Sequence, residues 1–250
     1  MTFINVENVN KLFRGKNKNS DEYALDYVNF SIKKGEFFCI LGPSGCGKST
    51  LLNMMAGFEL PTNGKIVIDN NEMKEPSPKY ISVFQEYGLF PWRSVSTNIG
   101  FGLEFSDKKE TTKNKTLEEY TKLVGLDAFK HKSPVELSGG MKQRVALARA
   151  LAVHPEVLFM DEPFGALDEI TRITLQKELL RIWEEKQITI IFVTHNIESA
   201  IALGDRIAVM TPHPGKIKKI INLQIDRPRD IASQEFENIK KDILLEFGIS

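Results

Sequence analysis

Gly42-Pro43-Ser44-Gly45-Cys46-Gly47-Lys48-Ser49-Thr50 fits the pattern G-x-x-x-x-G-K-[ST] of a phosphate-binding loop. The apolar run 37–41 leads into it and the helix-favouring run 48–55 follows it, which is the strand–loop–helix context that the pattern requires. Glycines let the backbone turn tightly, so that its N–H groups and the positive end of the next helix bind phosphate. We expect Lys48 to bind the outer phosphates, Ser49 to bind Mg²⁺ and Thr50 to contact the inner phosphates.

Further apolar runs predict strands at Val157–Met160, Thr189–Val193 and Ile207–Met210. Short unalternating runs suit strands that are covered on both faces, and helical patterns between them indicate a largely parallel sheet. Near the N terminus, Phe3–Val9 alternates as a half-exposed strand does, and a polar loop separates it from a second strand at 24–30. The expected fold is α/β, with a mainly parallel sheet and an antiparallel β subdomain.

Residues 94–154 are more polar and favour helix, so we expect them to form a helical lobe inserted in a core made of 1–93 and 155–230. Within this lobe, Ser106–Thr116 is predicted to be a loop or a frayed helix end. Residues 231–250 are predicted to form a final helix, because Phe236, Ile239, Ile243 and Phe247 recur at helical spacing. Packing on the core is the favoured role of that apolar stripe, and docking of a partner is the alternative.

The composition limits the classes of function. Lys and Arg number 33 and Asp and Glu also number 33, so no global positive field is available to attract nucleic acid. The two cysteines, Cys39 and Cys46, are expected to be reduced thiols in a cytosolic protein, and no spacing predicts a zinc site. No leader is expected, and no apolar run approaches the roughly 20 residues needed to cross a bilayer. A membrane role would therefore require another chain to do the spanning.

Two acids follow the second buried run, in Met160-Asp161-Glu162-Pro163. The carboxyl end of a buried parallel strand faces the ligand crevice of an open α/β sheet. We expect Asp161 to hold Mg²⁺ through a water molecule and Glu162 to act as general base for a water that attacks the terminal phosphate. The alternative is that both acids begin the next helix, where negative charge is favourable.

Three further side chains are candidates for the same crevice. His195 ends the third buried run and is expected to contact the terminal phosphate, although a lone histidine is often structural. Gln85 follows the strand-like run 81–84 and could bind Mg²⁺ or position water. Phe13 follows the first strand, where its ring could stack on a base; packing in the core or at the surface is the alternative.

A second helix start adds an anion site without a lysine or metal ligands. Ser138-Gly139-Gly140 precedes a helical pattern, and Ser138 is a good N-cap. A head-to-tail dimer would place each nucleotide between Lys48 of one subunit and Ser138 of the other.

Taken together, these motifs resemble the ATP-binding subunits of ABC transporters over nearly the full chain. Gly42–Thr50 match the Walker A motif, Gln85 the Q-loop, and 137–144 the signature motif, with Met141 where glutamine is commoner. The remaining matches are Val157–Glu162 with Walker B, 166–168 with the D-loop, His195 with the switch histidine and Phe13 with the adenine-stacking position. The resemblance implies a P-loop NTPase cassette that closes as a homodimer on two ATP molecules with Mg²⁺. It also implies that Ser138, Gly139, Gly140 and Asp168 bind nucleotide, that membrane permease subunits are partners, and that the chain lies peripherally at the cytoplasmic face of the membrane.

Three segments are similar to those of importers of the nitrate, sulfonate and taurine group: residues 88–95, 211–217 and 226–230. They imply an extracellular solute-binding protein as an indirect partner, and a groove at Phe90 and Trp92 that takes a permease helix. Packing under the loop is the alternative for these two rings.

An exporter subunit remains the nearest rival function. DNA-maintenance ATPases would need a long coiled coil between the two halves of the site, and paired translation factors would need two phosphate loops. No regulatory domain of the kind appended in maltose-type importers is expected.

Overall fold

The computed structural model describes residues 2–14, 22–84, 86–107, 109–165 and 167–248. The chain divides into two compact units, one made of residues 1–80 and 189–250 and the other of residues 81–188. The predicted lobe boundaries at 94 and 154 stay predictions.

In chain order the strands are β1 (Thr2–Phe13), β2 (Glu22–Lys33), β3 (Phe37–Leu41), β4 (Asn63–Ile68), β5 (Asn71–Glu72), β6 (Tyr80–Val83), β7 (Val157–Asp161), β8 (Thr189–Thr194), β9 (Arg206–Met210) and β10 (Ile217–Asn222). The α-helices are α1 (Lys48–Met55), α2 (Val95–Ile99), α3 (Phe101–Glu104), α4 (Glu110–Leu123), α5 (Gly139–Ala152), α6 (Glu169–Lys186), α7 (Ile197–Leu203) and α8 (Gln234–Glu246). Short 3₁₀ turns cover Asp127–Phe129 and Pro134–Glu136.

The first unit contains an antiparallel sheet in the order β2-β1-β4-β5. Strand β1 runs on to Phe13, beyond the predicted end at Val9. Asn8 has a φ of 50°, and the pairing of β1 with β2 shifts register on both sides of Val9. Such bulges let a strand continue through a polar stretch that breaks its alternation.

The same unit holds the buried strands that position the phosphate loop. Strand β3 lies between β8 and β9 and is parallel to both, whereas β10 runs antiparallel to β9. All residues of β3 and β8 are buried, as the continuous apolar runs predict. Leu41 pairs with Thr194, so β3 and β8 end at the same level of the sheet.

Helix α8 closes the described part of the first unit. Ser233 caps its start by accepting a hydrogen bond from the Phe236 N–H, and Phe236 and Ile243 are fully buried. The apolar stripe therefore packs within this unit. None of the described helices combines the length and the apolarity that crossing a bilayer requires.

The second unit carries β6 from Ile81 onward, β7 and helices α2 to α6. A loop, one of the two alternatives predicted for Ser106–Thr116, is wrong for residues 110–116, which form the first half of α4. The buried face of α4 is made by Thr116, Tyr120 and Thr121. The side chains that recur at helical spacing on this face therefore bear hydroxyl groups and are not aliphatic. Thr121 satisfies its hydroxyl by donating to Leu117 O at 2.7 Å, which makes this burial tolerable.

Candidate functional site

The loop 42–50 turns between β3 and α1 in the first unit. Gly45 and Gly47 have φ angles of 79° and 92°, in the left-handed region that favours glycine. A Cβ on Gly47 would lie 2.7 Å from Leu25 Cδ2 and 2.9 Å from Ala24 O, so the turn has no room for a side chain. Within the described residues, no side chain caps α1 and its first turn holds no acid. Its first amide groups are therefore available to an anion.

Lys48 lies folded over this loop. Lys48 is only 5% exposed, and its Nζ donates to Gly42 O and Pro43 O, both at 2.9 Å. No ion pair between Lys48 and a carboxylate occurs in the described part of the chain. A buried ammonium held by neutral carbonyls is a site that an approaching anion would stabilise.

The other loop residues divide into exposed and buried ones. Pro43, Ser44, Gly45 and Ser49 are exposed, and Thr50 is half-buried. Cys46 is buried, and burial raises the pKa of its thiol, which keeps it protonated. The loop thus presents backbone and hydroxyl groups outward.

His195 lies beside the start of this loop. Because Leu41 pairs with Thr194, Gly42 and His195 leave the sheet at the same end. Gly42, Pro43 and His195 line one cavity of about 440 Å³. The other walls of this cavity come from the end of β9, from β10, from the start of α7 and from the end of α8. The structure therefore brings the candidate histidine and the phosphate loop together.

Phe13 is the last residue of β1 and is 46% exposed. The Lys11 ammonium lies 5.3 Å from the centroid of its ring. A half-exposed ring at the end of a strand is suited to stacking on a planar base.

Asp161 and Glu162 lie in the second unit, at the end of β7, and both are half-buried. Glu162 has a φ of 47°, which is uncommon for a residue with a side chain. Its carbonyl accepts hydrogen bonds from Gln143 Nε2 at 3.2 Å and from the Gly165 N–H at 3.1 Å. Such a conformation costs about 1–3 kcal/mol and is found preferentially at active sites. Gln143, within the signature segment, thus supports the backbone of the candidate base.

Ser138 caps α5, because its hydroxyl accepts a hydrogen bond from the Met141 N–H at 3.3 Å. Ser138 and Gly139 are exposed, and a Cβ on Gly139 would lie 3.1 Å from the Tyr87 hydroxyl. Asp168 caps α6 by accepting from the Thr171 N–H at 2.9 Å. That hydrogen bond lowers the pKa of the Asp168 carboxyl. The family resemblance implies that Asp168 binds nucleotide, and it does not suggest this capping role.

Gln85 lies outside the described residues, but the segment that follows it is firmly held. Arg149 of α5 donates to Tyr87 O at 3.1 Å and to Gly88 O at 2.8 Å. Burial lowers the pKa of its guanidinium. Asn98 is fully buried and accepts from the Phe90 N–H at 2.9 Å, while its amide donates to the carbonyls of Phe90, Arg93 and Ser94. Neither Arg149 nor Asn98 belongs to a motif that the sequence singles out.

Four aromatic side chains form a surface that we call the aromatic patch: Phe90, Trp92, Phe101 and Phe105. The Phe90 ring lies 5.6 Å from Trp92 and 4.6 Å from Phe101, between ring centroids. Trp92 is 78% exposed and Phe105 is 76% exposed, so packing under the loop does not account for Trp92. The Arg93 guanidinium lies 4.9 Å from the Phe101 ring and pairs with Glu104.

The donors available for a metal ion are oxygen atoms. Ser49 supplies a hydroxyl and Asp161 a carboxylate, and each is an oxygen donor of the kind that Mg²⁺ prefers. Across the described residues, no cluster of three or more His, Cys, Asp or Glu side chains is placed to hold a metal by itself. Each of these two side chains, taken by itself, has the chemistry of a Mg²⁺ ligand.

Comparisons with known proteins identify the family of this chain. The family described as ABC transporter matches residues 25–165. The aliphatic sulfonates import ATP-binding protein SsuB of Bacillus cereus is 46% identical over 244 residues, which cover 98% of this chain and 95% of SsuB. The nitrate import ATP-binding protein NrtD of Synechococcus elongatus is 47% identical over 210 residues, covering 83% and 77% of the two chains.

A solved structure is similar throughout its length. It is a dimeric, post-hydrolysis state of the ATP-binding cassette MJ0796 bound to ADP and Pi, with a TM-score of 0.80 and 34% identity. The alignment covers 89% of this chain and 100% of that one. The family and the α/β cassette fold predicted from the sequence are thereby confirmed.

Proposed function

This chain belongs to the ABC transporter family, and we propose that it is the ATP-hydrolysing subunit of an importer that works as a dimer with separate membrane subunits. The relatives named for import of aliphatic sulfonates and of nitrate support a small oxyanion as the transported solute. We propose a sulfonate- or nitrate-like solute delivered by an extracellular binding protein, and a peripheral location at the cytoplasmic face of the membrane.

One observation carries the proposal. The Lys48 ammonium is held by the carbonyls of Gly42 and Pro43, at the start of α1, where no side chain caps the helix. The ammonium and the amide groups bind the triphosphate, and the Phe13 ring stacks on the base. Mg²⁺, when bound through Ser49, Asp161 and Gln85, would neutralise charge on the outer phosphates. His195 shares the cavity beside the loop and donates a hydrogen bond to the terminal phosphate.

Glu162 is the proposed general base. Its carboxylate takes a proton from the water that attacks the terminal phosphate, a role typically worth about 10²–10⁴ in rate. The left-handed backbone of Glu162, held by Gln143 and Gly165, supports this assignment, because it fixes the direction in which the side chain leaves the end of β7.

The second anion site completes the nucleotide site in a dimer. We propose that Ser138, Gly139 and Gly140 of one copy contact the phosphates held by Lys48 of the other, with Asp168 near the same interface. The exposed start of α5 and the dimeric cassette bound to ADP and Pi support this arrangement.

The aromatic patch is the proposed docking site for the membrane subunits. Exposed aromatic side chains are the usual anchors of protein interfaces. Arg149 and Asn98 fix the backbone on which Phe90 and Trp92 are carried, so docking is transmitted to the segment that follows Gln85.

The test is phosphate release from Mg²⁺-ATP by the purified chain and by Glu162→Gln. We expect the variant to release phosphate about 100-fold more slowly than the parent chain, or more slowly still. Glu184→Gln, on the exposed surface of α6, is the matched control and should keep the full rate. Normal hydrolysis by Glu162→Gln would contradict the assignment of the base. In proteoliposomes that contain the membrane subunits, ATP-driven efflux of solute from the cytoplasmic side would contradict import.

A further inference from the structure

The helix that follows His195 is held at both ends by residues 226–246, which we call the C-terminal strap. Arg229 Nη1 donates to Gly204 O at 2.6 Å and also to Ile201 O, at the carboxyl end of α7. Arg227 Nη2 donates to Leu203 O in the same turn. At the other end, Lys240 of α8 pairs with Glu198, in the first turn of α7, at 2.7 Å. The strap thus contacts α7 at both of its ends.

These contacts supply what α7 lacks locally. The last carbonyls of a helix have no partner within it, and many helices satisfy them with a left-handed residue at the end. Here the C-cap residue Gly204 is extended, with φ −71° and ψ 150°, so that motif is absent. The arginines provide the donors instead. Burial lowers the pKa of Arg229 to about 10, which indicates that its charge is drawn out of water to make these contacts.

The strap also connects α7 to the strand that leads into the phosphate loop. Arg227 Nη1 pairs with Asp205 at 2.7 Å, and the other oxygen of that carboxylate accepts from the Phe37 N–H at 2.9 Å, at the start of β3. On the opposite side, the Cys39 thiol of β3 donates to Ala200 O in α7 at 3.7 Å. The position of α7 is therefore fixed against β3, and His195 at the front of α7 shares a cavity with Gly42 at the end of β3.

We propose that Arg229 is a positioning residue for hydrolysis, which acts by holding α7 so that His195 keeps its place beside the phosphate loop. The inference rests on the proposed role of His195. Arg229 itself does not line the cavity. Its effect should therefore appear in the chemical step and not in nucleotide binding.

The first test is steady-state ATP hydrolysis by Arg229→Met. We expect kcat to fall about tenfold, because a small displacement of a reacting group is costly, while KM for ATP stays within about twofold. Arg229→Lys keeps one donor and should recover part of the loss. The matched control is Arg206→Met, since Arg206 donates to Ser31 O at 2.9 Å and to Glu36 at 3.1 Å and does not contact α7 through these bonds. It should lower Tm and leave kcat unchanged. An unchanged kcat in Arg229→Met, or an equal loss in Arg206→Met, overturns the proposal.

The second test measures Arg229→Met in the His195→Ala background. If Arg229 acts through the histidine, Arg229→Met should lower kcat no further in the His195→Ala background. An equal fold-loss in both backgrounds overturns the inference and leaves the role of His195 intact. A full kcat in His195→Ala alone overturns both. Should Arg229→Met fail to fold, Lys240→Met releases the other end of α7, and the same dependence on His195 is expected of it.

Discussion

Replacing Gly47 by alanine measures how closely the phosphate loop is packed at its turn. The φ of 92° is accessible to glycine but costs an L-residue about 1–2 kcal/mol. The new methyl group would meet Leu25 Cδ2 at 2.7 Å and the Ala24 carbonyl at 2.9 Å, and overpacking of this kind adds about 1–3 kcal/mol. The sum is a destabilisation of roughly 2–5 kcal/mol, which lowers Tm by about 4 °C or more in a chain of this size.

Thermal unfolding followed by circular dichroism measures this loss, and titration with a fluorescent ATP analogue measures binding. Gly125→Ala is the matched control, because Gly125 also has a positive φ, 65°, while its Cβ would meet only the flexible Arg144 side chain, at 3.4 Å. It should lose only the backbone part of the stability and keep its affinity for ATP. If Gly47→Ala is as stable as Gly125→Ala and binds ATP like the parent chain, the packing of the loop has been misread.

Three other substitutions address separate parts of the account. Lys48→Ala should weaken ATP binding about 100-fold, since it removes charge-assisted hydrogen bonds to phosphate; equal affinity by titration would contradict the role of the loop. Trp92→Ala should keep basal hydrolysis but reduce co-purification with the membrane subunits, and undiminished co-purification would reject the docking site. Asp168→Ala should lower Tm, and Asp168→Asn, which keeps an acceptor but not the charge, should lower it less. Because the cap holds the pKa of Asp168 below its ordinary value of 3.8, the part of the stabilisation that depends on the charge is present above that pH and is lost as the pH falls through the lowered pKa. A difference in Tm between parent and Asp168→Ala that does not shrink as the pH falls below 3.8 would contradict this.

The buried strands were predictable because their signal is local. The run Phe37–Leu41 matches β3, and Val157–Met160 and Thr189–Val193 each differ from β7 and β8 by one residue. A strand covered on both faces must be apolar throughout, so its bounds are visible in the sequence. The first half of α4, residues 110–116, was predicted as a loop or a frayed helix end, because the buried face of this helix is made by Thr116, Tyr120 and Thr121, and such polar side chains do not stand out from their neighbours.

The phosphate loop was identified from spacing, but the contacts that support the site could not be. Arg149 reaches the backbone of Tyr87 and Gly88 from a helix that is distant in the chain. Arg229 caps a helix formed by residues 197–203. Arg229 lies in the segment 226–230 that the sequence singles out, but neither that segment nor the neighbours of Arg149 show which carbonyl groups the two guanidinium groups contact. Such contacts depend on the tertiary fold, and only the packing of the elements reveals them.

The most direct measurement is a crystal structure of Glu162→Gln with ATP and Mg²⁺ bound. We predict a twofold dimer in which each triphosphate contacts Lys48 of one copy and the start of α5, at Ser138, of the other. Nucleotides enclosed by single copies, with Ser138 remote from every phosphate oxygen, would contradict it.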